Sequence, residues 1–113
     1  PRLGGYVLAR RPRTLEEGNT ALLDDPNVGL RTHLVRLDPG ASGSPDFLHK
    51  GAELVLVASG LVQLTIGSDT PVLRAGDAAL ATSVAVSGWR NLISSPALLF
   101  WVVRDDAPRT GDQ

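Results

Sequence analysis

His49 and Glu53 are the two residues of this sequence whose types and spacing could do chemistry together. A neutral imidazole and a carboxylate are the pair of ligands that divalent transition metals favour. In a dry pocket the same two groups could instead act as an acid–base pair. Both residues stand at the start of an apolar run that ends at Gly60. What the pair can do therefore depends on the strand that this run forms.

Strand geometry places the pair on one face, because alternate side chains of an extended chain point the same way. We expect one face of the run to carry Phe47, His49, Glu53, Val55 and Val57. Leu54 and Leu56 then point to the opposite side. A carboxylate on an apolar face must meet a proton, a cation or hydrogen-bond donors if it is buried. Alternatively, Glu53 lies at the strand edge and is solvated, or is paired with Lys50 or an arginine.

The rest of the chain is typical of an all-β protein, with short apolar runs separated by clusters of Gly, Pro, Asp and Ser. This spacing predicts a sandwich or barrel. The predicted strands are residues 5–10, 28–37, 52–58, 61–66, 72–74, 78–81, 89–93 and 97–103. The best helical candidate is 14–23, where Thr14 begins a pattern similar to a capping box. The last strand is apolar on both faces, so we expect an enclosing sheet or a protein partner to cover both.

Composition limits the classes of protein to which the chain can belong. Its 113 residues predict one domain, and a net charge of −1 gives no strong attraction for nucleic acid or anionic lipid. Several arginines gather near the start (Arg2, Arg10, Arg11 and Arg13), but Glu16 and Glu17 follow, which favours a solvated arm. Without cysteine there are no disulfides or thiolate sites. No apolar run approaches the ~20 residues that span a bilayer, and no signal peptide is visible.

The predicted organisation is an N-terminal arm or extra strand or short helix at 1–27, a β-barrel at 28–106 and a flexible tail at 107–113. The sequence contains no Met. We therefore expect either that a leader has been removed or that the sequence is a segment of a longer protein, and we favour the segment.

The stretch from Gly40 to Gly60 resembles the first motif of the cupin superfamily, G-x5-H-x-H-x(3,4)-E-x6-G. His49 matches the second histidine, Glu53 the glutamate and Gly60 the closing glycine, while Gly40 lies one residue too far upstream. The second motif, G-x5-P-x-G-x2-H-x3-N, matches at Gly76 and Asn91. The two motifs in this order imply a cupin-type double-stranded β-helix, that is, a jelly-roll barrel.

The departures from these motifs concern the metal ligands that the resemblance implies. Phe47 stands at the first histidine of the first motif, and Ser87 stands at the histidine of the second. Thr82 and Val84 replace the proline and glycine of the second motif. A cupin metal site has three histidines and a glutamate, of which only His49 and Glu53 are matched. The resemblance therefore favours no cofactor, although a divalent metal stays an alternative.

His33 is the one residue that could complete a metal site, since it is the only other histidine. If His33 pointed inward at the level of His49, the two imidazoles and Glu53 would resemble a facial triad. The default expectation is a histidine at a strand surface or in a hydrogen-bonded position in the core.

A barrel without metal could still hold a ligand. Ser87, Trp89 and Asn91 share a strand parity, so Trp89 is expected to form an aromatic wall, and Ala79 and Ala81 leave room. The predicted pocket consists of Phe47, His49, Glu53, Ser87 and Trp89. The alternative is that the aromatic residues Trp89, Phe100 and Trp101 are simply core.

Two functions follow from the resemblance. The first is a non-enzymatic ligand-sensing and dimerisation module, similar to the C-terminal cupin domain of lambda-repressor-like helix-turn-helix regulators. It implies a cytoplasmic homodimer with a small-molecule effector, which meets DNA only through a separate upstream domain absent from this sequence. The second is a stand-alone small cupin enzyme, such as a metal-dependent dioxygenase, isomerase or lyase. We assign no catalytic residue and prefer the first function, because half of the expected ligands are replaced.

Overall fold

The computed structural model describes residues 2–3, 5–45 and 51–105 of the chain. Its strands are β1 (Arg2–Leu3), β2 (Tyr6–Val7), β3 (Gly18–Asp25), β4 (Leu30–Leu37), β5 (Ser42–Gly43), β6 (Glu53–Ser59), β7 (Leu61–Ile66), β8 (Val72–Arg74), β9 (Ala78–Ala81), β10 (Val86–Asn91) and β11 (Ala97–Arg104). Within these residues no helix forms, which confirms the predicted all-β class. Nor does this part of the chain contain a helix that could cross a membrane.

Two antiparallel sheets carry the fold. One has five strands in the order β3-β4-β11-β6-β9, and the other has four in the order β5-β10-β7-β8. A small ribbon of β1 and β2 is separate from both sheets. The two larger sheets pack face to face, because alternate apolar residues along their strands form one common core. This arrangement is a jelly-roll barrel.

The core explains why β11 is apolar along its whole length. β11 is the central strand of the five-stranded sheet, so neighbouring strands pair with both of its edges. Alternate residues face the core and are buried: Ala97, Leu99, Trp101 and Val103. From the other sheet, Val62 and Leu64 of β7 meet them, as the alternation of residues 61–66 predicts. The enclosing sheets thus cover the inner side of β11.

Some predicted boundaries are wrong. The helix expected at 14–23 does not form; β3 occupies Gly18–Asp25 and pairs with β4. Pairing with β4 outweighs the weak local helical signal, since Gly18 and Asn19 are poor helix formers. The five-stranded sheet therefore includes β3, which precedes residue 28, the predicted start of the barrel. The predicted strand 89–93 instead spans Val86–Asn91, and the short strand β5 was not predicted.

The side of the five-stranded sheet that faces away from the core is also apolar, and we call it the outer face. Cross-strand register aligns its residues in two rows, which contain Leu54, Leu80 and Val102 in one and Leu56 and Phe100 in the other. Leu80 on the edge strand β9 is 65% exposed. Towards β4, the N-terminal residues 5–7 and the β3–β4 turn border an open cavity of about 520 Å³ over Thr32 and Val102.

Candidate functional site

Glu53 is the polar centre of the barrel interior. It begins β6, points to the core side together with Val55 and Val57, and is 2% exposed. Its Oε1 accepts a hydrogen bond from the indole Nε1–H of Trp101 at 2.9 Å, and its Oε2 accepts one from the backbone N–H of Val86 at 2.9 Å. The alternative that Glu53 is solvated at a strand edge is therefore wrong. The common face predicted for these residues is confirmed from Glu53 to Val57.

Trp101 and Trp89 form the aromatic part of the site. Trp101 is fully buried on β11, and its ring meets that of Trp89 edge-on, with centroids 5.6 Å apart and an angle of 72° between the planes. This edge-to-face arrangement is a favourable geometry for aromatic pairs. Trp89 is half-buried and lies over Gly43 of β5, where a Cβ atom would stand 3.2 Å from the ring. Trp89 thus lies at the border between the core and the surface.

His33 points inward, as one of the predicted arrangements requires. It is 6% exposed and pairs across the strands with Trp101. Its Nδ1 lies 2.9 Å from Oδ1 of Asn19, a bond in which Nδ1 donates because an amide oxygen only accepts. In register, Trp101 stands on the strand between His33 on β4 and the β6 strand of Glu53. His33 is a hydrogen-bonded core residue, which is the default expectation.

Ser87 does not share a face with Trp89. The pairing of β10 with β7 shifts by one residue between Val86 and Gly88, so Ser87 is the extra residue of a β-bulge. Ser87 is exposed, and Val86 takes the buried position instead. The parity that grouped Ser87 with Trp89 and Asn91 is correct only for the last two. A bulge changes the side to which every later residue points, and nothing in the local sequence announces it.

Two of the predicted pocket residues, Phe47 and His49, lie outside the described residues. Ala79 and Ala81, which are expected to leave room for a ligand, belong to β9. This strand pairs with β6, and Ala81 lies directly opposite Glu53. Of the five predicted pocket residues, the structure therefore brings Glu53 and Trp89 towards the same interior. Trp101 links them, because it binds Glu53 and contacts Trp89.

Asn91, which matches the last position of the second cupin motif, is buried and hydrogen-bonded to backbone groups. It is 1% exposed, and its Nδ2 lies 3.3, 3.1 and 2.8 Å from the carbonyl oxygens of Leu37, Asp38 and Ser95. Its Oδ1 accepts the backbone N–H of Ile93 at 3.1 Å. The side chain therefore joins the end of β4 in one sheet to β10 in the other and to the loop that follows β10.

The cupin resemblance implies a metal ligand at Glu53 and another at His49, which lies outside the described residues. The described groups that donate to the Glu53 oxygens are the N–H groups of Trp101 and Val86. Over the ranges 5–45 and 51–105, no group of three or more His, Cys, Asp or Glu side chains could hold an ion. What this arrangement can do chemically is hold a carboxylate in the core beside an aromatic wall.

Sequence reasoning missed the role of Trp101. A buried indole usually finds an acceptor for its N–H, and a buried carboxylate needs donors. Each residue type therefore predicts that a hydrogen-bond partner exists. Their match, however, depends on the register of β6 against β11, which joins residues 48 positions apart. Only the structure supplies that register.

Comparison with known proteins agrees with this architecture. The Cupin_2 family model, described as a cupin domain, matches residues 33–103. The cupin domain of an XRE family transcriptional regulator from Enterobacter cloacae is 22% identical, with a TM-score of 0.69 over 80% of this chain and 96% of that chain. An HTH_3 family transcriptional regulator from Vibrio cholerae is 19% identical, with a TM-score of 0.64 over 80% of this chain and 51% of that chain.

An oxalate oxidase in complex with the substrate analogue glycolate is also similar in fold. It is 20% identical, with a TM-score of 0.60 over 72% of this chain and 44% of that chain. No curated protein matches the chain in sequence. Identities this low show the fold alone, and the fold serves both regulators and enzymes. The family model covers well over half of the residues, and the predicted jelly-roll barrel is confirmed, so this chain belongs to the cupin family.

Proposed function

We propose that this chain is a non-catalytic cupin module that senses a small molecule and belongs to a helix-turn-helix transcriptional regulator. The observation that carries the proposal is the environment of Glu53. Its two oxygens accept N–H groups of the protein at 2.9 Å, so the carboxylate is part of the framework of the barrel. This role is structural, and it needs neither a substrate nor a metal ion at these oxygens.

The similarity to regulator domains supports the same proposal. The Enterobacter cloacae domain comes from a transcriptional regulator, and this chain covers 96% of it. The Vibrio cholerae regulator is longer, and this chain covers 51% of it. We propose that this chain likewise senses in the cytoplasm, while a separate domain contacts DNA. The net charge of −1 agrees, because it gives no strong overall attraction for DNA.

The proposed effector site is the border of the barrel at Trp89. Trp89 is half-buried, so one part of its ring packs on Trp101 and another part is accessible to a ligand. Aromatic walls bind the apolar faces of small organic molecules, and a few polar groups fix their orientation. Phe47 and His49 stay proposed members of this site. Ser87, whose side chain is exposed at the bulge, stays a proposed member at the rim.

The test is a ligand screen by thermal unfolding, with a library of small organic acids, sugars and aromatic compounds. A bound effector at 100 times its Kd stabilises the fold by about 2.7 kcal/mol and raises Tm measurably. We expect such a compound to lose this effect in Trp89→Ala and to keep it in Arg90→Ala, a control on the same strand whose side chain is exposed. The compound should be recovered chemically unchanged. Its conversion to product by the wild-type protein would instead establish the enzyme alternative.

We also propose that the module forms a homodimer through the edge strand β9, beside the outer face. Leu80 and Leu54 are directly paired across the strands there and are 65% and 36% exposed. The edge strand β9 (Ala78–Ala81) carries no charge or proline, the usual protections of a free edge. Pairing with β9 of a second copy would cover this edge and bring the two Leu80 side chains close together.

A further inference from the structure

We propose that Arg11 and Arg36 form a binding site for a small oxyanion, a carboxylate or phosphate compound with two negative charges, and that the bound anion fastens the chain before β3 to the barrel. This stretch consists of residues 8–17, between β2 and β3, and we call it the β2–β3 segment. The site lies on the five-stranded sheet, whereas the effector site proposed at Trp89 lies on the other sheet. The inference therefore holds or fails independently of the sensing function.

The β2–β3 segment crosses the outer face of the five-stranded sheet. Val7, just before the segment, borders the 520 Å³ cavity over Thr32 of β4. Leu15, near the end of the segment, borders a second cavity beside Arg36 of the same strand. Thr32 and Arg36 are four residues apart on β4, so both belong to the outer face. The segment therefore passes over Leu34, which lies between them.

The burial of Leu34 agrees with this course. Leu34 is fully buried, although it lies on the outer face and does not belong to the barrel core. In the segment, Ala9, Pro12 and Leu15 are half-buried, while the residues between them are exposed. A contact at every third residue is typical of polyproline II, an extended helix with three residues per turn. The segment thus turns one apolar edge to the sheet.

Few bonds hold the β2–β3 segment in this position. Among the described residues it pairs with no strand, and its one hydrogen bond to the barrel runs from the backbone N–H of Asp38 to Oε1 of Glu17. A segment without backbone hydrogen bonds opens locally at a small cost in free energy. A ligand that bridges the segment and the barrel therefore shifts the segment towards its closed position.

The second cavity brings two arginines to this junction. Its volume is about 230 Å³, and it is bordered by Arg11 from the segment, Arg36 from β4 and Ser59 from the end of β6. Pockets for drug-sized molecules span about 300–1,000 Å³, so this cavity suits a smaller ligand. Two positive charges at one cavity repel each other, and an anion between them converts the repulsion into attraction.

Both arginines have donors for such an anion. Arg36 donates from Nη1 to Oδ1 of Asp38 at 2.8 Å, while its Nε and Nη2 make no hydrogen bond within the described residues. Arg11 forms no ion pair in that part of the chain. A guanidinium carries five N–H donors in a fork that matches the oxygens of carboxylate and phosphate groups, and the hydroxyl of Ser59 adds another donor. Because Asp38 offsets part of the charge of Arg36, the site depends on Arg11 as well.

The site is tested by titration of the ¹⁵N-labelled full chain with inorganic phosphate and, separately, with malonate. A low, constant ionic strength limits screening, and the amide signal of Ser59 in proton–nitrogen NMR spectra reports binding. We expect saturable binding of at least one probe, and the probe that binds distinguishes a phosphate from a dicarboxylate ligand. Arg11→Ala and Arg36→Ala should each weaken binding at least about tenfold, because each removes charged hydrogen bonds. Arg13→Ala, which removes an exposed arginine of the same segment that does not border the cavity, should bind as the wild type does.

Two results would overturn the site: saturable binding of neither probe, or unchanged affinity in Arg11→Ala. Arg11 is exposed and forms no ion pair within the described residues, so its replacement is not expected to disturb the fold. If Arg36→Ala does not fold, Arg11→Ala decides the question on its own.

The fastening of the segment is tested by limited digestion with trypsin, which cleaves after exposed arginines such as Arg13. At ten times its Kd, the anion should slow cleavage after Arg13 about tenfold, because only the closed segment presents both arginines to it. Arg11→Ala in the same anion should be cleaved at an unchanged rate, which corrects for any effect of the anion on trypsin itself. Cleavage of the wild type that is equally fast with and without saturating anion would overturn the fastening.

Discussion

Glu53 and Asn91 are buried polar residues that cross from one sheet to the other, and they do so at opposite ends of β10. Glu53 on β6 accepts the backbone N–H of Val86, where β10 begins. Asn91, where β10 ends, donates towards the carbonyl groups of Leu37 and Asp38 after β4. Because a buried polar group is costly unless it is bonded, each of these contacts favours one relative position of the sheets. Two side chains thereby fix the strand that carries Trp89.

Asn91→Asp is the residue-scale test of this role. The substitution keeps the shape but replaces the donor Nδ2 by an oxygen that faces three carbonyl oxygens at 2.8–3.3 Å. Unpaired buried acceptors and the added charge should lower the free energy of unfolding by about 3 kcal/mol. Urea denaturation followed by tryptophan fluorescence measures the change. The exposed Asn27→Asp is the matched control and should stay within about 0.5 kcal/mol of wild type. Equal stability of both variants would contradict the role of Asn91.

The sequence predicts the role of a residue when that role depends on its own strand, and does not when it depends on a contact with a distant strand. The inward direction of Glu53, Val55 and Val57 follows from strand parity, and the structure confirms it. The match of Asn91 to a motif points to importance but not to its bonds, since the carbonyl groups it meets come from distant turns. Trp101 could not be paired with Glu53, because the register of two strands decides that contact.

At the scale of elements, the most accurate strand predictions are those in which clusters of turn-forming residues mark the strand ends. β7 and β8 match their predicted bounds, with a cluster of Gly, Ser, Asp, Thr and Pro between them. For the region of β3 the sequence leaves an extra strand and a short helix open, and the strand forms because its residues pair with β4. The bulge at Ser87 was missed for a related reason, since a shift in pairing is a property of two strands.

The β6–β7 turn offers an element-scale test through Gly60. Gly60 has a φ of 98°, and a Cβ there would stand 2.8 Å from the Cβ of Ala97 at the start of β11. Gly18 has a similar φ of 101° but nothing within 4 Å of such a Cβ. Gly18→Ala should therefore show only the strain of a positive φ, about 1–3 kcal/mol.

Gly60→Ala should cost that strain and a further ~1–3 kcal/mol, because the turn must move away from β11. Chemical denaturation of both variants gives the difference. It measures how tightly the β6–β7 hairpin packs on the central strand. If Gly60→Ala were no less stable than Gly18→Ala, the close approach of the turn to Ala97 would be disproved.

At the scale of the whole molecule, the charge and the apolar surface both favour association with another protein. The net charge of −1 provides little repulsion between copies. The outer face presents Leu54 and Leu80 beside the free edge of β9. Antiparallel pairing of β9 with the β9 strand of a second copy would satisfy the edge of both sheets by one two-fold axis. The result would be one continuous sheet of ten strands, since each copy contributes five.

Leu80→Asp tests this dimer, because it places a charge at the centre of the proposed contact on each copy. Burial of two facing carboxylates is unfavourable, so the dimer should dissociate at concentrations at least ~30-fold higher than those at which the wild type does, equivalent to about 2 kcal/mol. Light scattering coupled to size-exclusion chromatography over a range of concentrations measures the mass. Leu92→Asp is the matched control, since Leu92 is 41% exposed and follows β10 in the other sheet.

The wild type and Leu92→Asp are expected to elute as dimers and Leu80→Asp as a monomer with an unchanged circular dichroism spectrum. A wild-type monomer at the highest concentration would disprove self-association altogether. A stable dimer of Leu80→Asp would instead place the interface elsewhere on the molecule and leave the β9 edge unexplained. The sensing proposal does not depend on either outcome, because Trp89 lies on the four-stranded sheet, away from the outer face. An effector that binds equally well to Leu80→Asp would show that the two surfaces work separately.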